Sequence, residues 1–284
     1  MSPTMSQPIT IEVCGIRLSG LLAVPGAEPR AVIVALPGAG MRAGYFDGPV
    51  ERDSSLLALG AAKGFSVLAL DRPGYGESVG APEELLTLFG QVGVLHQALD
   101  VFAAGNPIGA GYFLAAHSYG LKLGLAAAAD PRGERFLGLD GAGSGLRYQT
   151  NREAPELADG RRDRGAPWGP EDLYPARTFE KGCLPSGRMP GAEVAEMAEW
   201  PDVLRGFAGD IRIPLRFTYG DHERLWMIDD ATLSELRGLF PAAPWVSVEL
   251  IEGAGHNVSL SCAAPEYHRR VLHFARECVA RALG

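Results

Sequence analysis

The 284-residue sequence contains only four cysteines, and no two of them have the spacing of metal ligands. They are scattered along the chain as Cys14, Cys183, Cys262 and Cys278. A chain of this length buries roughly 75% of the surface that its unfolded state exposes, so its core needs no disulfide. We therefore expect reduced cysteines with structural roles, and we predict neither a metal site nor a cofactor.

Long hydrophobic segments are also missing. No stretch approaches the roughly 20 apolar residues that a membrane-spanning helix requires. Residues 1–7 contain no apolar stretch long enough for the core of a signal peptide. These absences predict a soluble, cytoplasmic protein without a membrane partner.

Positive charge is scarce, since 26 Lys and Arg against 34 Asp and Glu give a net charge of −8. Binding to a phosphate backbone depends on clustered Lys and Arg side chains that release counterions. The composition therefore argues against a nucleic-acid partner. It leaves the oligomeric state open.

Apolar, strand-like runs alternate with helical patterns along most of the chain. An initial hairpin is predicted within residues 9–24, and further strands near 31–36, 65–70, 111–117, 135–140, 213–219 and 245–251. Helices are predicted near 51–63, 83–104, 119–129, 229–239 and 265–282. This alternation predicts an α/β fold, in which a mostly parallel, twisted sheet has helices on both faces and binds ligands at the carboxyl ends of its strands.

The alternation stops between residues 144 and 210, where Pro, Gly, Arg and aromatic residues are frequent. We therefore predict a core formed by residues 1–143 and 211–284, with an insertion at 144–210. Four aromatic residues of the insertion are candidate apolar walls of a substrate pocket: Trp168, Tyr174, Phe179 and Trp200. The alternative is that they only pack the insertion onto the core.

A serine lies between a predicted strand and a predicted helix. The apolar run at 111–115 leads into Ala116-His117-Ser118-Tyr119-Gly120, and a helical pattern follows. This is the pattern G-x-S-x-G with alanine in the first place, and small flanking residues allow the sharp turn that exposes a serine hydroxyl.

An acidic loop and a histidine follow the serine in the chain. The predicted strand at 213–219 leads into Asp221-His222-Glu223, and the strand at 245–251 leads into a glycine-rich loop with His256. All three lie after strands of the predicted parallel sheet, so they are expected at one edge. A serine nucleophile needs such a base and an acid that orients it.

These motifs resemble those of the α/β-hydrolase superfamily, in its serine hydrolase branch with esterases and thioesterases, over nearly the whole chain. The run AVIVALPGAG at 31–40 is similar to the family's oxyanion strand and loop, and LDRPGYGES at 70–78 to its next strand end. The resemblance implies a lid at 144–210, a nucleophile at Ser118 and a base at His256. It also implies an oxyanion hole formed by the backbone N–H groups of Ala39 and Tyr119.

One departure from the family concerns the oxyanion loop, where relatives commonly have His-Gly and this chain has Pro37 before Gly38. The acid has two candidates. Relatives often have Gly-x-x-Asp after this strand, and alignment on Gly220 favours Glu223 as the orienting carboxylate. Asp221 remains the alternative.

The resemblance implies hydrolysis of a carboxylic ester or thioester through an acyl-enzyme. The expected partner is a small-molecule acyl substrate, either free or bound to a carrier. Two alternatives stay open. The same triad serves acyltransferases, cyclases and carbon–carbon hydrolases, and a hydrolase scaffold can also serve a non-catalytic small-molecule binding protein.

Overall fold

A computed structural model describes residues 5–149 and 164–284. Within these residues, eight strands form one sheet. The strands are β1 (Gln7–Val13), β2 (Ile16–Ala23), β3 (Val32–Leu36), β4 (Ser66–Leu70), β5 (Tyr112–His117), β6 (Phe136–Ala142), β7 (Leu215–Gly220) and β8 (Val246–Ile251).

The strand order is β1-β2-β4-β3-β5-β6-β7-β8. The pairs β1–β2 and β2–β4 are antiparallel, and all pairs from β4 to β8 are parallel. Every residue of β3, β4, β5 and β7 is buried, as expected of strands that are covered on both faces. The prediction of a mostly parallel sheet is confirmed.

The helices lie between the strands and after the last one. They are α1 (Leu56–Ala62), α2 (Glu83–Leu86), α3 (Leu88–Gly105), α4 (Tyr119–Ala129), α5 (Gly191–Glu196), α6 (Trp200–Phe207), α7 (Asp230–Gly238) and α8 (Ala264–Leu283). Alternate residues of β3 enter two separate apolar cores. Val34 packs in the core that contains residues of α3 and α4, and Ile33 in the core that contains residues of α1 and α8. Helices therefore cover both faces, as predicted.

Two predicted helices have wrong boundaries, and side-chain capping explains both. The helix predicted at 51–63 begins only at Leu56, because the Ser55 side chain accepts the Ala58 N–H and caps it there. The helix predicted at 83–104 is divided in two at Thr87, whose side chain caps α3 by accepting the Gly90 N–H. In both cases a capping side chain sets the residue at which the helix begins.

The segment between β6 and β7 corresponds to the predicted insertion. Its described part contains a short 3-10 helix at Glu171–Leu173 followed by α5 and α6, and no strand of the sheet. Single β-bridges join Met41 to Ser186 and Tyr148 to Trp226, so the segment contacts the loops at the carboxyl edge of the sheet. Residues 150–163 of the predicted insertion lie outside the described residues.

Helix α4 starts in close contact with the loop after β3. A Cβ atom at Gly120 would lie 2.1 Å from the carbonyl oxygen of Leu36 and 2.6 Å from that of Pro37. Only glycine allows this approach, since both neighbours are backbone atoms that cannot move without disturbing β3.

We predict that Gly120→Ala lowers the free energy of unfolding by about 1–3 kcal/mol, the usual cost of overpacking. Urea denaturation measures this change. Gly93→Ala in α3 is the matched control, because a Cβ there would meet no atom within 4 Å. That substitution should stabilise the helix by roughly 0.5–1 kcal/mol. Equal effects of the two substitutions would contradict the steric argument.

Candidate active site

Ser118 occupies the turn between β5 and α4. Its backbone angles, φ 52° and ψ −115°, lie in a region that residues other than glycine rarely adopt. The Ser118 N–H donates a hydrogen bond to the carbonyl oxygen of Ala142 at 2.8 Å, which anchors the turn to the end of β6. The turn leaves the side chain partly exposed at the carboxyl edge of the sheet.

A chain of hydrogen bonds connects Ser118 to a histidine and a carboxylate from two other loops. His256 Nε2 lies 3.1 Å from Ser118 Oγ, and His256 Nδ1 lies 2.9 Å from Glu223 Oε2. Because the carboxylate can only accept, Nδ1 carries the proton, and Nε2 is left to accept the proton of the serine hydroxyl. The three side chains can therefore move a proton from the serine to the histidine.

Glu223 is held as an anion. Burial alone would raise its pKa, but His256 and the backbone N–H groups of Leu225 and Arg224 favour the charged form and hold the pKa below its ordinary value. Its side chain is fully buried, and Oε1 accepts the Leu225 N–H at 2.8 Å. The carboxylate is thus fixed by the backbone on one oxygen and by the imidazole on the other.

Asp221, the alternative acid, has a different environment. Its side chain is 37% exposed, and Oδ1 accepts the Ala254 N–H at 3.1 Å. This bond ties the loop after β7 to the loop after β8, which also carries His256. Asp221 therefore connects the two loops through the backbone, whereas the contact to the imidazole comes from Glu223.

The two predicted oxyanion donors lie in segments that meet at Ser118. The Tyr119 N–H is the first of α4, so it has no acceptor within the helix. Ala39 is the second residue of a turn that the Met41 N–H closes by donating to Gly38 O at 3.2 Å. A Cβ at Gly38 would lie 2.9 Å from the Cβ of Ser118, so this loop lies directly against the serine.

His117 contacts the backbone of the loop that carries His256. Its Nε2 lies 2.9 Å from the carbonyl oxygen of His256, and its ring stacks on Tyr45 at 4.5 Å between centroids. Burial, followed by the nearby His256, lowers the pKa of His117 well below its ordinary value. The ring is therefore neutral, and its Nε2–H can donate to the His256 carbonyl.

The structure brings three of the four predicted pocket aromatics together. Trp168, Tyr174 and Phe179 contact one another edge to face, with centroids 5.1 to 5.5 Å apart. A Cβ at Gly255 would lie 2.7 Å from the Trp168 carbonyl oxygen, so this group lies against the loop that carries His256. Trp200 lies apart, buried in the core beside α4, where its Nε1 donates to Gly145 O at 3.1 Å.

A buried charged cluster that the sequence motifs do not predict lies beside the loop after β3. Arg72 and Glu193 are 1% and 0% exposed and form an ion pair. The sequence contains a signal for Arg72, because this residue follows a predicted strand within the LDRPGYGES run. Glu193 gives no such signal, because a glutamate is ordinarily exposed.

Among residues 5–149 and 164–284, no cluster of three or more His, Cys, Asp or Glu side chains has an arrangement that could bind a metal ion. In the same part of the chain, none of the helices combines the length and the apolar character needed to span a membrane.

Comparison with known proteins identifies the class. The sequence model of the alpha/beta hydrolase family matches residues 33–269, and the chain therefore belongs to this family of hydrolases. The resemblance of the motifs to the α/β-hydrolase superfamily is thereby confirmed. No curated protein matches the chain significantly by sequence.

Similar solved structures support the same fold. A thermostable carboxyl esterase from Bacillus coagulans has a TM-score of 0.71 at 12% identity, covering 98% of this chain and 100% of its own. E-2-(acetamidomethylene)succinate hydrolase has a TM-score of 0.66 at 17% identity, covering 96% and 100%. A monoacylglycerol lipase from Paleococcus ferrophilus has a TM-score of 0.63 at 18% identity, covering 91% and 98%. At such low identities the likeness concerns the fold.

The hydrogen bond from His256 to Glu223 can be observed without any substrate. We predict a proton resonance downfield of the amide region for His256 Nδ1–H, because a buried carboxylate shields this proton from exchange and lengthens its N–H bond. Proton NMR of the wild type and of Glu223→Gln measures it, and the resonance should move strongly or vanish in the variant. Asp221→Asn is the control and should retain it. Loss in Asp221→Asn alone would contradict the observed pairing.

Proposed function

We propose that this protein is a serine hydrolase that cleaves a carboxylic ester or thioester through an acyl-enzyme. The observation that carries the proposal is the continuous hydrogen-bond chain from Glu223 through His256 to Ser118, with distances of 2.9 and 3.1 Å. Its members follow β5, β7 and β8, which lie in the parallel part of the sheet. They therefore lie at the carboxyl edge of the strands, where such sheets bind ligands.

In the proposed reaction, His256 Nε2 takes the proton of Ser118 while Oγ attacks the substrate carbonyl carbon. Glu223 holds the imidazole in the required tautomer and stabilises the imidazolium. The carbonyl oxygen becomes an oxyanion, which accepts hydrogen bonds from the N–H groups of Ala39 and Tyr119. His256 then gives its proton to the leaving oxygen or sulfur, and the acyl group remains on Ser118.

Water completes the cycle by the same steps. His256 accepts a proton from water as the water oxygen attacks the acyl carbon, and it returns the proton to Ser118 Oγ when the ester bond breaks. The start of α4 supports both steps, because the positive end of the helix dipole faces the developing negative charge. The strained backbone of Ser118 supports them as well, since it keeps the hydroxyl clear of the strand.

The names of two similar structures, a carboxyl esterase and a monoacylglycerol lipase, favour an ester as the substrate bond. We further propose that residues 144–210 act as a lid above a small-molecule acyl substrate, with Trp168, Tyr174 and Phe179 as apolar pocket walls and Trp200 supporting the lid on α4. The position of the three aromatics beside the histidine loop supports this assignment.

We predict that a fluorophosphonate probe attaches once, at Ser118, because only an activated serine in an oxyanion hole reacts quickly with it. Intact-mass analysis and peptide mapping measure the adduct, and Ser118→Ala should abolish it. Ser144→Ala is the matched control, a buried serine after β6, and should be labelled like the wild type. Unlabelled wild-type protein that remains folded would contradict the serine mechanism and favour a binding protein.

We predict that Glu223→Gln lowers kcat by about 10⁴-fold, because a neutral amide no longer stabilises the imidazolium or fixes its tautomer. Asp221→Asn should cost far less, since its carboxylate accepts the Ala254 N–H and lies beside His222 rather than His256. A panel of short and long acyl esters and thioesters measures both, and product analysis with added alcohol separates hydrolysis from acyl transfer. The reverse ranking of the two variants would move the acid to Asp221.

A further inference from the structure

Helix α5, in the segment between β6 and β7, directs two carboxylates towards the loop after β3 and the start of α4. Glu193 and Glu196 are three residues apart and therefore lie on one face of the helix. Glu193 is completely buried. A charged side chain is buried in this way only where several donors replace its water, and the donors around Glu193 lead directly to the candidate site.

Glu193 accepts hydrogen bonds from three side chains. The Arg72 guanidinium binds both of its oxygens, with Nη2 at 3.2 Å from Oε2. Tyr75 Oη donates to Oε2 at 2.8 Å, and Gln91 Nε2 donates to Oε1 at 3.2 Å. Glu193 thus fixes the orientation of Arg72 and of Tyr75, both of which also bind the loop after β3.

Arg72 controls the peptide unit that contains the first oxyanion donor. Its Nε donates to Pro37 O at 2.8 Å, and its Nη2 donates to Gly38 O at 3.1 Å. The Gly38 carbonyl and the Ala39 N–H belong to the same planar trans peptide, so they point in opposite directions. By holding the carbonyl on its own side, Arg72 directs the Ala39 N–H away from itself.

Tyr75 fixes the other side of the same loop. Its Oη accepts the Gly40 N–H at 2.9 Å while it donates to Glu193. The backbone of Ala39 is therefore held before and after the residue, and both restraints end at one carboxylate of α5. A rotation of the Gly38–Ala39 peptide would break the bond to Arg72.

The second oxyanion residue is attached to the same helix. Tyr119 Oη donates to Glu196 Oε2 at 2.6 Å, and Glu196 also accepts the Leu88 N–H at 3.1 Å. The guanidinium carbon of Arg72 lies 4.6 Å from the centre of the Tyr119 ring. One face of α5 therefore reaches both residues whose N–H groups would form the oxyanion hole.

We propose that Glu193 and Glu196 are positioning residues that keep the oxyanion hole in its active geometry. The inference rests on the proposed function and deepens it. The segment between β6 and β7 then does more than cover the substrate, because the hole is complete only when α5 is in place. Movement of this segment would weaken catalysis even with the Ser118–His256–Glu223 hydrogen bonds intact.

The test measures the second-order rate of fluorophosphonate labelling of Ser118 in Glu193→Gln, because the phosphonyl oxygen of this probe also requires the oxyanion hole. We expect a fall of about 10–100-fold, somewhat less than the loss of one complete donor. The pH profile of labelling should keep its wild-type midpoint while its plateau falls, since His256 and Glu223 are unchanged. Glu196→Gln provides a second variant and should show a smaller fall of the same kind.

A buried ion pair away from the site provides the control for lost stability. Asp140 and Arg216 pair in the core between β6 and β7 and are 0% and 5% exposed. Removing one partner of either pair destabilises the protein, so thermal unfolding is measured for all variants. Asp140→Asn should lose stability and keep its labelling rate.

Two results would overturn the inference. The first is labelling of Glu193→Gln and Glu196→Gln as fast as that of Asp140→Asn. The second is a shifted midpoint in the pH profiles of the two glutamate variants, which would indicate damage to His256. Failure of the proposed function has a different signature. Folded wild-type protein would then not react at Ser118 at all, and both proposals would fall together.

Discussion

The candidate site depends on one steric constraint, the contact of three backbone segments at the start of α4. The loop after β3 lies so close to Ser118 and Gly120 that glycine is needed at positions 38 and 120. Ser118 lies in this crowded region with a strained backbone. Its N–H donates a hydrogen bond to the Ala142 carbonyl, which anchors the turn. Because these segments are fixed against each other, the proposed nucleophile and the two proposed oxyanion donors would be held close together before any substrate arrives.

Charge is distributed around this contact in two layers. Close to the serine, Glu223 lies buried against His256, and its pKa stays low because the imidazole and backbone N–H groups outweigh the effect of burial. Farther out, Arg72 pairs with Glu193 and holds the carbonyls of the loop after β3. Isolated buried charges are costly, and both layers avoid this cost through paired, hydrogen-bonded groups. The outer layer connects the segment between β6 and β7 to the candidate site.

Periodicity predicted much of the fold. Apolar runs such as VIVAL in β3 and SVLAL in β4 are too short and too continuous for surface helices, and they form the buried parallel strands. Helix boundaries were less predictable, since capping by Ser55 and Thr87 depends on local hydrogen bonds that an apolar pattern does not contain. For the candidate site, motif order indicated Ser118 and His256, and alignment on Gly220 favoured Glu223 but left Asp221 open as the acid. The contact between Glu223 and His256 required the structure.

The sequence by itself determined the family, the order of the strands along the chain and the residue types at their ends, because these follow from local pattern. Only the tertiary structure decided which carboxylate meets His256, where Trp200 packs, and that Glu193 is buried on Arg72. The contact between Glu223 and His256 joins residues that are 33 positions apart in the sequence. The contact between Arg72 and Glu193 joins residues that are 121 positions apart. Both contacts arise from how helices and loops pack on the sheet, and no local pattern specifies that packing.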